Sequence, residues 1–143
     1  MKQTSLKKRI LAVCLLIITS IFIVSCKAPE DPAVKGDPIY TADTALGTGE
    51  NTFNFKVINY EGREINFVIS TDKTIVGEAL TEVGLIEGEK GPYGTYVKRV
   101  NGIRADYNVD GKYWAFHIDG LTAPDSVDKT EITPGAQYAF VVE

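Results

Sequence analysis

Beyond residue 26 this chain has no cysteine: its two cysteines are Cys14 and Cys26. A domain formed after that point has no disulfide, no thiol nucleophile and no cysteine metal site, so its own core must hold it together. Histidine is almost as scarce, with His117 the only one. That removes the usual surroundings of Ser-His-Asp and Cys-His catalysis and leaves a protein-only transition-metal site without ligands. Positive charge is thin as well. Residues 26–143 carry 11 Lys/Arg against 19 Asp/Glu, a net −8, which argues against nucleic acid or anionic lipid as a partner. The glycines of Gly47-Thr48-Gly49 and Gly88-Glu89-Lys90-Gly91 do not make a phosphate loop. No carboxylate pair is nominated by its spacing, and an enzyme is not expected.

The first 25 residues are a leader. Lys2, Lys7, Lys8 and Arg9 precede an apolar run from Ile10 to Val24 that is short for a membrane span. The run ends in Ile23-Val24-Ser25-Cys26, which resembles the bacterial lipobox, with Ile23 where leucine is more usual. On this reading residues 1–25 are a lipoprotein signal peptide, and Cys26 is lipidated and becomes the mature N-terminus. The expected location is the extracytoplasmic face of a bacterial membrane, held by the lipid anchor; an uncleaved N-terminal anchor is the alternative. Lys27 to Glu50 has three prolines, several charges and little apolar content. Residues 26–50 are therefore predicted to be a flexible, disordered tether, able to reach about 70 Å at about 3 Å per residue.

From Thr52 the pattern turns periodic. Phe53, Phe55 and Val57 alternate with Asn54 and Lys56, and Ile65, Phe67 and Ile69 return after the turn at Tyr60-Glu61-Gly62-Arg63. Val76, Ala79, Leu80 and Val83 then recur at helical spacing, with N-cap candidates in Ser70–Thr74 and a C-cap in Gly84. Glu87 to Gly94 is predicted as a loop, Thr95 to Val100 as a strand, Asn101-Gly102 and Asp110-Gly111 as turns, and Gln137 to Val142 as a last strand after the Pro134-Gly135 turn. This order predicts an α+β class for residues 51–143: a small β-grasp-like domain with one helix packed on a mixed β-sheet.

The only tryptophan lies in Tyr113-Trp114-Ala115-Phe116-His117-Ile118. Alternation assigns Trp114, Phe116 and Ile118 to a core face, with ligand contact as the alternative role for Trp114 and Phe116. Tyr113, Ala115 and His117 point the other way, joined by Tyr93 and Tyr96 from neighbouring segments. Tyrosine offers contact area with few rotatable bonds, so this face is either a contact surface or an ordinary cross-strand aromatic set. His117 as a metal or cobalt ligand has no second histidine beside it. Asp106, Asn108 and Asp110 match the first half of a calcium loop, but His117 stands where the bidentate glutamate belongs, and an Asp-Gly hairpin is the competing account.

Thr74 to Leu85 (TIVGEALTEVGL), Tyr93 to Val97, Val100 to Ile103, Tyr113 to Phe116 and Ile132 to Tyr138 together resemble a transcobalamin-like C-terminal domain. Such domains occur in bacterial surface lipoproteins and are similar to the C-terminal β-domain of the vitamin B12 carriers transcobalamin and intrinsic factor. The resemblance implies that the Trp114 strand and the loop near Tyr93 lie against a corrin face. It brings Trp114, Ala115 and Phe116, with Tyr93 and Tyr96, into a ligand site. Ala115 departs from the glutamine that tends to occupy this position in the carriers, and no α-helical partner domain is visible. The resemblance thus implies a non-enzymatic, lipid-anchored binding module contributing one side of a cobalamin/corrinoid or other small-ligand site, completed by a second surface protein. No resident cofactor is implied. A structural or adhesion domain docking onto a protein or envelope polymer is the alternative.

Overall fold

The computed structural model describes residues 35–143; the leader, Cys26 and the start of the expected tether lie outside the described residues. The order is β1 (Thr44–Gly47), β2 (Asn51–Ile58), β3 (Glu64–Thr71), α1 (Val76–Glu82), β4 (Ile86–Gly91), β5 (Gly94–Val100), β6 (Ile103–Arg104), a one-turn α2 (Tyr107–Asp110), β7 (Trp114–Ile118), β8 (Leu121–Thr122), a 3₁₀ turn (Val127–Lys129) and β9 (Gln137–Val142). The fold is mostly β, with one helix of more than a single turn among the described residues.

The alternating hairpin forms as its pattern dictates. β2 and β3 pair antiparallel from Asn51↔Thr71 to Ile58↔Glu64, and Phe53, Phe55, Val57, Ile65, Phe67 and Ile69 are buried on one face. Asn59 closes the turn: its side-chain oxygen accepts from the N–H groups of Glu61 (3.0 Å) and Arg63 (2.9 Å). This hairpin sits inside a six-stranded mixed sheet of order β1-β3-β2-β9-β7-β8, in which β1–β3 and β2–β9 are parallel. A second sheet has the order β4-β5-β6, where the sequence pattern predicts a single mixed sheet. Val76, Ala79 and Leu80 of α1 join Val97, Val100 and Ile103 of the second sheet and the inner face of the first in one apolar core.

Three expectations need correction. Residues 35–50 do not run as a tether: Thr44–Gly47 is a sheet strand, and the backbone before it straps onto the domain. Arg104 N–H donates to the Lys35 carbonyl (2.6 Å) and Ile39 N–H to the Asn101 carbonyl (3.0 Å). The Asn101 side chain accepts from Tyr40 N–H (2.9 Å) and donates to the Tyr40 carbonyl (2.8 Å). Glu87–Gly94 is not a loop but most of a β4–β5 hairpin. Gly88 is needed there because a Cβ would lie 2.5 Å from the Tyr96 carbonyl oxygen. The helix has no side-chain N-cap; Ser70 and Thr71 finish β3, and Val76 N–H is satisfied by the Thr130 carbonyl (2.9 Å). Gly84, at φ +70°, does follow the helix end.

The 3₁₀ turn is fastened to β5 by Asp128, which accepts from Thr95 N–H (2.9 Å) and from the Ser126 hydroxyl. Burial works to raise this carboxyl. The Ser126 hydroxyl, the Thr95 N–H and hydroxyl and the Lys90 ammonium outweigh it and hold the group well below the ordinary carboxylate range.

Two outcomes follow from these contacts. Asn101 is fully buried at φ +49°, so Asn101→Ala leaves both main-chain groups of Tyr40 unpaired and lowers unfolding free energy by about 2–4 kcal/mol in urea titrations. Because the folded Asp128 carboxyl sits below its unfolded value, its stabilisation is complete above about pH 4 and is lost as pH falls further. Asp128→Asn should therefore lower stability at neutral pH and flatten the acid limb of a stability–pH curve. Part of the acid limb remains in that variant, because Asp106 is also held low, first by Arg104.

Candidate functional site

β7 is paired along one edge by β9, and on its other edge β8 and Ala123 engage Phe116 to Ile118 and leave the Trp114 end open. Tyr113 and Glu143 exchange both main-chain hydrogen bonds (3.1 and 3.0 Å), so by antiparallel alternation Ala115 and His117 also bond toward β9. The main-chain groups of Trp114 and Phe116 face the other way. There β8 reaches only His117 and Ile118, and Ala123 N–H takes the Phe116 carbonyl (2.9 Å). The N–H and C=O of Trp114 have no backbone partner among the described residues. Opposite this open edge runs β5, and between the two lies a cleft of about 200 Å³.

The cleft gathers five of the seven ligand-contact residues expected from sequence: Tyr96, Tyr113, Trp114, Ala115 and Phe116. Trp114 is mainly a core residue. It is buried, and its indole N–H donates to the Ile103 carbonyl (3.1 Å), joining the first sheet to the second. Phe116 lies parallel to Tyr138 at 6.2 Å and packs at 5.2 Å against Phe140. The core assignment of both rings agrees with their alternation, Trp114 buried and Phe116 half-buried against the core. Ala115 is buried rather than exposed. Tyr113 and His117 flank it on the same face and both reach the Glu143 carboxylate, the tyrosine hydroxyl donating at 3.2 Å and His117 Nε2 standing 3.0 Å away.

The rim is tyrosine. Tyr96 is 39% and Tyr113 37% exposed. The hydrogen bond to Glu143, followed by the charge of that carboxylate, holds the Tyr113 phenol above its ordinary value, so it stays a donor. The Lys98 ammonium lies 5.8 Å from the centre of the Tyr96 ring and is itself held by Glu89 (3.1 Å) and Asp106 (3.3 Å).

Two predicted residues lie elsewhere. His117 does not line the cleft, and its ring nitrogen is engaged with Glu143. Tyr93, 87% exposed at the β4–β5 turn, is also outside it; its carbonyl accepts from Lys129 Nζ (3.1 Å). The remaining wall comes from two places: Thr95 and Val97 lie on β5, within the segment that the sequence singles out, whereas nothing in the sequence nominates Ala123, Ser126 and Val127. Those three arrive through the long return of the chain after β8, which Asp128 pins to β5.

The calcium-like triplet does not assemble a cage. Asp106 turns inward to cap α2 through Asn108 N–H (3.2 Å) and binds Arg104 (3.1 Å) and Lys98. Asp110 accepts from the Tyr60 hydroxyl (2.6 Å) and from Lys112 N–H (3.1 Å). The expected Asp-Gly hairpin is a helical turn closed by Gly111 at φ +69°. Among the described residues no three His, Cys, Asp or Glu side chains converge as a metal site.

Residues 72–140 match the model of a family described as a domain of unknown function, DUF4430. A protein of Ruminococcus gnavus ATCC 29149, described as a candidate metal-binding protein, is similar in structure at 26% identity and a TM-score of 0.62; the match covers 66% of this chain and 97% of that one. Haptocorrin in complex with Cbi is matched at 17% identity and a TM-score of 0.49, over 64% of this chain and 24% of that one. No curated protein matches the chain. The domain thus has the fold of the Ruminococcus protein over nearly all of that protein's length.

Proposed function

We propose that this chain is a non-enzymatic binding module, anchored by lipid on Cys26 at the extracytoplasmic face of a bacterial membrane, whose ligand lies across the cleft between β5 and β7. The observation that carries the reading is the meeting of Tyr96 and Tyr113 over the open main-chain edge at Trp114. Rigid amphipathic rings supply contact area, and the unpaired N–H and C=O supply direction. The lining holds hydroxyls and apolar groups, without a carboxylate, imidazole or thiol to act as base or nucleophile.

A corrinoid is the first specific ligand, on the strength of the sequence resemblance of the Trp114 strand and the Tyr93–Val97 segment to transcobalamin-like domains. A cleft of about 200 Å³ is below the 300–1,000 Å³ or so of a site that encloses its ligand. A flat ligand would rest on it, with a second surface protein closing the far side. The metal-binding description of the Ruminococcus protein stays with that protein, because among the described residues of this chain no three His, Cys, Asp or Glu side chains converge as a metal site. A docking domain for a protein or envelope polymer is the second reading, favoured by the exposed Tyr93 at the tip of its hairpin.

Titrating cobalamin against the full-length chain in detergent, with and without the products of neighbouring genes, tests the ligand. Binding is expected to tighten with a partner, and Tyr96→Ala and Tyr113→Ala are each expected to weaken it about three- to ten-fold. No absorbance or heat change in either condition overturns the corrinoid reading. For the anchor, Cys26→Ala should abolish incorporation of labelled palmitate and move the protein out of the membrane fraction; unchanged labelling removes the lipoprotein assignment.

A further inference from the structure

We propose that β4 is a docking edge for an extended, basic peptide segment of a partner protein, which adds to the second sheet as a fourth strand. β4 pairs only with β5. The main-chain groups of Glu87 to Lys90 that point away from β5 have no backbone partner among the described residues. Six residues at about 3.3 Å each give an edge about 20 Å long.

Alongside β4 lies a groove of about 650 Å³, which also reaches Thr95 of β5 and Val127 and Asp128 of the 3₁₀ turn. One wall is β4 itself, from Ile86 to Lys90; the other is the side of α1 that carries Glu78, Thr81 and Glu82. An added strand would hydrogen-bond to β4 and drop alternate side chains toward α1.

Charge selects the occupant. Glu78, Glu82, Glu87 and Asp128 line the groove against Lys73 and Lys90. Lys90 is drawn to Asp128 (3.4 Å) and Lys73 to Glu82 (4.0 Å). Glu87 reaches Arg99 (3.6 Å) from a largely exposed position, and Glu78 is exposed on the first turn of α1. The groove keeps an acidic excess that lysine or arginine side chains would neutralise. The same charges oppose pairing between two copies of this chain, whose β4 edges would bring glutamates together. The groove also meets the tyrosine-rimmed cleft, because Thr95 and Val127 line both. A strand seated on β4 would therefore hold its protein beside the cleft.

The test uses the ¹⁵N-labelled full-length chain in detergent and a blocked Lys-Val-Lys-Val-Lys peptide, with Glu-Val-Glu-Val-Glu as control. The basic peptide should slow amide exchange within Glu87–Lys90, shift the resonances of Glu78 and Thr81, and bind more weakly at high salt. Glu78→Lys should weaken it about five-fold or more, Glu87→Gln should weaken it in the same direction, and Tyr96→Ala should leave it unchanged, which separates this site from the ligand cleft. Unslowed β4 amides, equal binding of the acidic peptide, or unchanged affinity in both charge variants overturns the proposal.

Discussion

The indole N–H of Trp114 donates to the Ile103 carbonyl across the gap between the two sheets, and the rest of the site depends on that bond. A buried indole donor left unpaired would cost about 1–3 kcal/mol, so the ring is held to one position. That position sets β7 beside β5 and β6 without letting it pair with them. β7 pairs with neither β5 nor β6, and the main-chain groups of Trp114 stay at the floor of a cleft. A smaller residue at position 114 would give up the link to Ile103 and let the two sheets approach. The cleft is thus a consequence of joining the sheets through a side chain rather than through backbone.

Period-two alternation was legible in the sequence because it is a burial signal. The rows Phe53-Phe55-Val57 and Ile65-Phe67-Ile69 face a core wherever the strand lies in the sheet. The helix was legible for the same reason. What misled were segments whose structure rests on main-chain hydrogen bonds that composition does not report. Residues 35–40 look like tether because they are polar and carry proline, yet Asn101 holds Tyr40 by both of its main-chain groups. Glu87-Gly88-Glu89-Lys90-Gly91 looks like loop because it is glycine-rich and charged. In an edge strand those features have another purpose: Gly88 admits the Tyr96 carbonyl, and the charges guard the exposed side. The missing helix cap is a third case, since a carbonyl more than fifty residues away does the work that Ser70–Thr74 were expected to do.

The site divides along the same line. Strand alternation placed Trp114 and Phe116 in the core and Tyr113 on the opposite face, and the structure agrees. Alternation cannot say that Ala115 is buried between Tyr113 and His117, which both reach Glu143. Nor can it place Tyr96 beside Tyr113, which needs the relation between two sheets. His117 shares the face of the contact residues, but Glu143 engages it outside the cleft. Tyr93 shares a sequence segment with Tyr96, but the hairpin carries it away from the cleft.

How much a cleft this small can do depends on how much order it already has. Tyr113 is tied to Glu143 before any ligand arrives, Trp114 is fixed by Ile103, and Asp128 fixes the wall that carries Ser126 and Val127. Little side-chain freedom remains to be lost on contact at these positions, which lowers the entropic cost of each interaction made there. Preorganisation does not enlarge the surface, however. One half-open cleft shields one side of a flat molecule and leaves the other in water, so its contact area falls short of what an enclosed site obtains. A second protein held next to the cleft would supply the missing side by proximity, without any change in the cleft, because a tethered neighbour acts at a high effective concentration. Rigid walls, small volume and a neighbouring open strand edge are consistent with one arrangement: a fixed half-site whose affinity is set by what is brought against it.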